Sequence, residues 1–205
     1  FQADVQVVVA FRMLPKVVWQ MPRKGTFNLH ASLLPDYRGA APINWAIING
    51  ETITGVTTFL IDEQIDTGAI LLKKEVAITQ RETAGTLHDK LMVVGADLVV
   101  DTLALIASDK AVPQPQPQPI VEKAAPKIHK ETAHIPWEKS LAEIDRFVRG
   151  MAPYPTAWAE LHHEGEMYAV KIYEATPQEA THTLPIGSVR VQDRHIEVAV
   201  QGGFL

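Results

Sequence analysis

Residues 26–50 read TFNLHASLLPDYRGAAPINWAIING. The stretch opens with five residues of strand character, breaks at Leu33-Leu34-Pro35, and resumes at Pro42 in a segment that ends on Gly50. Proline suits the first turn of a helix and glycine the position after its last, so residues 42–50 read as a helix. A strand feeding a turn and then a helix is a unit of an α/β layer fold. The same alternation runs outward from it. VQVVVAF (residues 5–11) is a short apolar run, as expected of a parallel strand covered on both faces. PKVVWQM (15–21) places Pro at a first helical turn, and TGVTTFLID (54–62) and AILLKKEVAI (69–78) are two more strands around the polar loop EQIDTG (63–68). Leu87, Leu91, Val94, Leu98, Thr102 and Leu105 then recur at spacings of three and four, which predicts a long helix with one core-facing stripe.

VPQPQPQP (112–119) can neither continue a helix nor enter a central strand; alternating proline favours an extended spacer. Beyond it, SLAEIDRFVRGM (140–151) is a helix with a Ser cap and Glu143 three residues on. Short alternating runs follow, TAWAEL, MYAVKIYEA, GSVRV and HIEVAV, of the kind that build a small antiparallel sheet or barrel. The expected organisation is an α/β domain over residues 1–108, a Pro-rich linker over 109–136 and a β domain over 137–205.

Composition sets outer limits. The chain has 205 residues, 46% hydrophobic and 21% charged, enough for one or two cores. With no cysteine there is neither a disulfide framework nor a thiolate metal site. A net charge of −5 lacks the broad basic footprint of a nucleic-acid binder. No apolar run is long enough to span a membrane, and the first residues, FQAD, do not read as a signal peptide.

Asn28 and His30 are two apart on a strand and therefore share a face. Asp66 lies in the loop after the third strand, within plausible reach. Together they suit attack of an amine on a carbonyl carbon, where a covalent nucleophile is not needed. Asn28 can donate to the developing oxyanion. His30 can do the same when protonated, or act as an acid, and Asp66 can orient the imidazole, stabilise its cation or accept the amine proton. The plainer alternative is a polar pair at a strand end and a turn aspartate. His162 and His163 are adjacent and would point opposite ways on a strand, which argues against a metal pair. The Arg38-Gly39 turn reads either as a substrate contact or as a turn with an exposed arginine.

FNLHASLLPDYRGAAPINWAIINGE followed by TGVTTFLIDEQIDTGAIL resembles the folate-dependent formyltransferase family, and within it the branch acting on charged initiator tRNA. Asn28, His30, Ser32, Leu33, Leu34 and Pro35 meet the family's Asn-x-His-x-Ser-Leu-Leu-Pro segment; Asp66, Thr67 and Gly68 meet its Asp-x-Gly segment. The resemblance implies a Rossmann-like domain with a mostly parallel sheet, then an OB-like antiparallel barrel, both partial. It implies a cytoplasmic enzyme that transfers a formyl group from 10-formyltetrahydrofolate, without a metal, to the α-amine of methionine on initiator tRNA. It makes Asn28, His30 and Asp66 catalytic, lays Ser32, Leu33, Leu34 and Pro35 against the folate, and gives the 11–14 segment, with Met13 and Leu14, a place in the pocket wall. Phe11-Arg12 departs from the family's usual Tyr-Gly there, and Ile135-Pro136-Trp137 stands for Ile-Asp-Trp. HIPWEKSLAEIDRFVRGMAPYPTAWAEL resembles the start of the family's second domain. The family pattern also leads us to expect that the opening strand–helix units, a basic tRNA-contacting loop and the end of the barrel lie outside these residues. A sheet edge left open in this way could pair with a second copy. Sibling readings are a formyltransferase acting on an amino-sugar nucleotide or purine precursor, a formyltetrahydrofolate hydrolase, and a binding module without activity.

Overall fold

In a computed structural model, residues 2–11, 13–192 and 194–205 are described. The chain divides into two compact units: residues 1–43, 52–79 and 87–127 form the first, and residues 44–51, 80–86 and 128–205 the second.

The first unit is built on a four-stranded sheet of β1 (Gln6–Val8), β2 (Thr26–His30), β4 (Ile53–Leu60) and β5 (Ile70–Ala77), in that order. Between these strands lie helix α1 (Lys16–Trp19), the short strand β3 (Arg38–Gly39) and helix α2 (Pro42–Ile48). The sheet is mixed rather than mostly parallel. β1 and β2 run parallel, with Val8 beside Asn28, whereas β4 runs antiparallel to both β2 and β5. The 61–69 segment closes β4 and β5 into a hairpin, which needs no crossover helix.

β1 is shorter than its apolar run and half-buried, with Val9 and Phe11 exposed, because only β2 pairs with it among the described residues. The long helix α3 (Ala84–Ala107) lays Leu87, Leu91, Leu98, Thr102 and Ile106 into the core. Its stripe ends on Ile106, one residue past the predicted Leu105. Gly95 of α3 comes so close to β2 that an added Cβ would sit 2.8 Å from Leu29 Cδ2. Thr102 Oγ1 lies 2.8 Å from Thr58 Oγ1. Helix α3 therefore covers the face that carries Leu29 and Thr58. Asn28 and His30, one residue out of phase with Leu29, lie on the other face.

The proline run is extended, as its composition dictates, and both it and the residues after it are tied to the rest of the first unit by backbone pairing. Gln114 forms an antiparallel bridge with Ile70, and strand β6 (Ala124–Ala125) pairs parallel with β3.

The second unit packs helix α4 (Leu141–Met151) against the hairpin β7 (Ala157–His163) and β8 (Glu166–Ile172). It also holds an antiparallel sheet of β9 (Gln178–Glu179), β10 (Val189–Gln192), β11 (His195–Val200) and β12 (Gly203–Phe204), in the order β10-β11-β12-β9. Ile135, Ile144, Val148, Met151, Ala157 and Val200 form its core. Ala133 and Ile135, within the stretch expected to be linker, are core residues of this unit. The segment 80–86 is held there at two residues: Arg81 Nη1 reaches Asp145 Oδ1 at 2.7 Å, and Arg149, itself paired with Asp145 Oδ2 at 2.9 Å, donates from Nη1 to the Glu82 carbonyl at 2.9 Å. No helix among the described residues is long and apolar enough to cross a membrane.

Candidate active site

β2 carries Asn28 and His30 on the face away from α3, both buried at 5% and 6% exposure. The His30 ring makes an edge contact with Phe59 of β4, centroids 6.5 Å apart. Its Nε2 lies 2.8 Å from the Tyr37 carbonyl oxygen. A carbonyl only accepts, so Nε2 carries a proton, and in the neutral form of the ring Nδ1 is the bare nitrogen. That Nδ1 is the nitrogen facing Asp66, 3.7 Å from Oδ2.

Asp66 reaches this point by an indirect path. β4 ends at Leu60, level with Phe27, three residues down β2 from His30. The 61–69 loop must therefore fold back along the sheet to bring its carboxylate to the imidazole. Asp66 adopts a left-handed backbone (φ +56°), a conformation aspartate tolerates better than most residues. Its Oδ2 accepts the Gly39 N–H at 2.9 Å. Tyr37 is also left-handed (φ +59°), which is uncommon for so large a side chain. Its carbonyl holds His30, while its own N–H donates to the Lys123 carbonyl at 2.6 Å. Strained backbone on both sides of one imidazole is a feature of sites that orient a group.

Asn28 Oδ1 is fully buried and meets no hydrogen-bond partner among the described residues. Buried polar atoms are nearly always paired within the fold, so this oxygen is a candidate for a ligand's N–H.

Residues 32–35 are tied to the sheet. Thr57 Oγ1 donates to the Ser32 carbonyl at 2.7 Å and accepts the Leu34 N–H at 3.2 Å. The Ser32 hydroxyl donates to the Asp36 carbonyl at 2.6 Å. Leu34 is fully buried against Phe59 and Ile70. The Lys73 ammonium donates to the Leu34 carbonyl; burial pushes its pKa below the usual lysine range, opposed by nearby Asp36. Ser32 and Leu34 therefore build the turn, while Leu33 and Pro35 remain half-exposed. Met13 is exposed and Leu14 half-buried in the irregular stretch before α1; Arg12 lies outside the described residues. Arg38 is half-buried and bonded to Gln116, not an exposed turn residue. His162 and His163 are exposed, and no three His, Cys, Asp or Glu among the described residues form a set able to hold a metal.

Sequence reasoning brings Asn28, His30 and Asp66 together but misses their supports. The Tyr37 carbonyl and Gly39 amide act through the backbone, where residue type says little. Gly39 itself has a readable signal. With φ +125°, and with the Ala125 carbonyl where a Cβ would stand, only glycine fits. Gln116 was hidden among repeated glutamines in a run read as spacer.

A family model described as "Formyl transferase" matches residues 1–103, and one described as "Formyl transferase, C-terminal domain" matches residues 127–205. The methionyl-tRNA formyltransferase of Flavobacterium johnsoniae is 53% identical over 203 residues, 99% of this chain and 64% of that protein. The enzyme of the same name from Parabacteroides distasonis is 52% identical over 100% of this chain and 65% of its own. The chain thus spans just under two thirds of the length of these relatives. Among solved structures, HypX from Aquifex aeolicus with tetrahydrofolic acid matches with a TM-score of 0.76 at 22% identity, covering 98% of this chain and 34% of that one. An N-formyltransferase from Helicobacter canadensis, with folinic acid and dTDP-3-aminofucose, matches at 0.65 and 22% identity over 87% of this chain and 63% of its own. At such identity these structures speak for the fold alone.

Proposed function

Because this chain belongs to the formyl transferase family, we propose that it transfers a formyl group from 10-formyltetrahydrofolate to the α-amine of methionine on the initiator tRNA, in translation initiation in the cytoplasm. The observation that carries this reading is the His30 imidazole held with Nε2 on the Tyr37 carbonyl and Nδ1 3.7 Å from the Asp66 carboxylate, with Asn28 on the same strand face. The choice of acceptor is supported by relatives of about 50% identity named methionyl-tRNA formyltransferase and by the match of the second unit to the family's C-terminal domain.

The residues suit a folate. The unmet Asn28 Oδ1 offers an acceptor, and half-exposed Leu33, Pro35 and Leu14, with exposed Met13, offer apolar surface for a planar ring. The folate would supply a formyl group activated by its bond to nitrogen. Asn28 directs its amide NH₂ to the charge that builds on the formyl oxygen, and its Oδ1 accepts an N–H of the amine. His30 Nδ1 takes the proton that the amine loses as its nitrogen bonds to the formyl carbon, and returns it to the folate nitrogen as the bond between that nitrogen and the formyl carbon breaks, so that tetrahydrofolate leaves neutral. Asp66, anchored by the Gly39 N–H, stabilises the imidazolium so formed. Ser32 and Leu34 set the turn that presents Leu33 and Pro35. In this reading residues 1–108 carry the chemistry and residues 137–205 form the second domain, joined by the 109–136 stretch.

The test is acceptor choice. Supplied with 10-formyltetrahydrofolate, the protein is expected to formylate charged initiator methionyl-tRNA and to leave an amino-sugar nucleotide unchanged. The reverse pattern would transfer the reading to a sugar-modifying sibling. Formate release without any acceptor would make the protein a hydrolase.

A further inference from the structure

The proline–glutamine run at residues 112–119 is the sequence motif that the reaction leaves unused. One side chain of that run touches the loop bearing Asp66. Gln116 Nε2 donates to the carbonyl oxygens of Asp66 at 2.8 Å and Gly68 at 2.9 Å. Its Oε1 accepts from Arg38 Nε at 3.2 Å and Nη2 at 2.6 Å. Both amide hydrogens and both lone pairs are thereby used. The orientation is fixed as well, since exchanging O and N would set an NH₂ group against a guanidinium.

The run itself cannot drift. Gln114 exchanges both backbone hydrogen bonds with Ile70, at 2.7 and 2.8 Å, and proline stands at 113, 115, 117 and 119. Gln116 is half-buried, whereas Gln114 and Gln118 are exposed. The loop is tied within itself by the Thr67 hydroxyl, which donates to the Asp62 carboxylate at 2.8 Å, but Asp66 beside it is left-handed, and among the described residues the N–H of Gly39 is what its Oδ2 accepts.

We propose that Gln116 is a positioning residue for formyl transfer: it clamps the 66–68 turn between the proline run and Arg38, so that the Asp66 carboxylate stays on the Gly39 N–H and beside His30. The proposal rests on reading His30 and Asp66 as the reacting pair. It assigns the run a part in the site besides that of a spacer.

The Gly39 amide is a built-in reporter, because its N–H points at the carboxylate. Its ¹H–¹⁵N resonance in Asp66→Ala marks the position without that carboxylate. Gln116→Ala removes the whole clamp. Gln116→Glu keeps an acceptor for Arg38 but loses both N–H donors to the turn. Both variants are expected to move the Gly39 resonance most of the way to its Asp66→Ala position and to lower kcat about 10- to 100-fold, with KM for either substrate within about twofold. Gln118→Ala should change neither. A Gly39 resonance that stays put in both Gln116 variants overturns the proposal, whatever happens to the melting temperature. So does a shifted resonance with undiminished kcat. If the unsubstituted protein transfers no formyl group, the reaction reading fails, and the resonance still decides whether the clamp holds Asp66.

Discussion

Asn28 Oδ1 is a buried acceptor without a partner among the described residues, and that is informative about what the residue is for. A buried oxygen with no donor destabilises the fold by about 1–3 kcal/mol relative to an apolar group of the same shape. Asn28→Leu is therefore expected to hold or raise the midpoint of thermal unfolding while reducing formyl transfer about 100-fold or more. A substantial loss of stability would instead make Asn28 a structural residue. The three polar residues were legible because strand phase places Asn28 with His30, and because the family segment around Asp66 is specific. The details of how they are held were not legible. Which ring nitrogen is bare depends on the Tyr37 carbonyl, and how Asp66 is held depends on the Gly39 N–H and Gln116. Backbone groups leave no mark on side-chain pattern.

At the scale of elements, helix α4 shows sequence and structure agreeing closely. Ser140 caps it, and Glu143 returns the bond to the Ser140 N–H at 3.0 Å, a complete capping box. The Ser140 hydroxyl, which also donates to Glu143 Oε2 at 2.6 Å, and after it the Ser140 N–H hold the Glu143 pKa below its usual 4.5. A carboxylate lowered on folding adds stability that is present above its unfolded pKa and is lost as pH falls through the folded one. Ser140→Ala should lower the melting temperature by about 2–4 °C at neutral pH, and by progressively less as acid protonates Glu143 in the unsubstituted protein. An equal deficit at neutral pH and well below Glu143's folded pKa would contradict that coupling. Helix periods and capping residues are local, so these elements could be read ahead. Strand direction is not local. The apolar runs at residues 54–62 and 69–78 suit parallel strands equally well, and only their pairing, Thr57 with Lys73 and with His30, shows β4 antiparallel to both neighbours.

For the molecule as a whole, the division in space differs from the division along the chain. The second unit draws in residues 44–51 and 80–86, which lie far earlier in sequence. Asp145, 8% exposed, sits between Arg81 and Arg149 and fastens one of these segments. Removing its charge would leave the nearly buried Arg149 without its carboxylate. Asp145→Ala is expected to destabilise the protein by about 3 kcal/mol in denaturant unfolding, and a change within about 0.5 kcal/mol would show the pairs to be surface decoration. Composition and linker chemistry could not reveal this arrangement, because a contact between residues 81 and 145 has no signature in either neighbourhood.

In the proposed reaction His30 and Asp66 work as one unit in formyl transfer to methionyl-tRNA. The most direct measurement is the formylation rate of charged initiator tRNA at saturating 10-formyltetrahydrofolate, for the protein, His30→Ala, Asp66→Asn and the double variant. Expected are transfer by the unsubstituted protein, a loss of about 100-fold or more in each single variant, and no deeper loss in the double variant than in the worse single one. Full activity in either single variant, or losses that multiply in the double variant, would contradict their working as one unit.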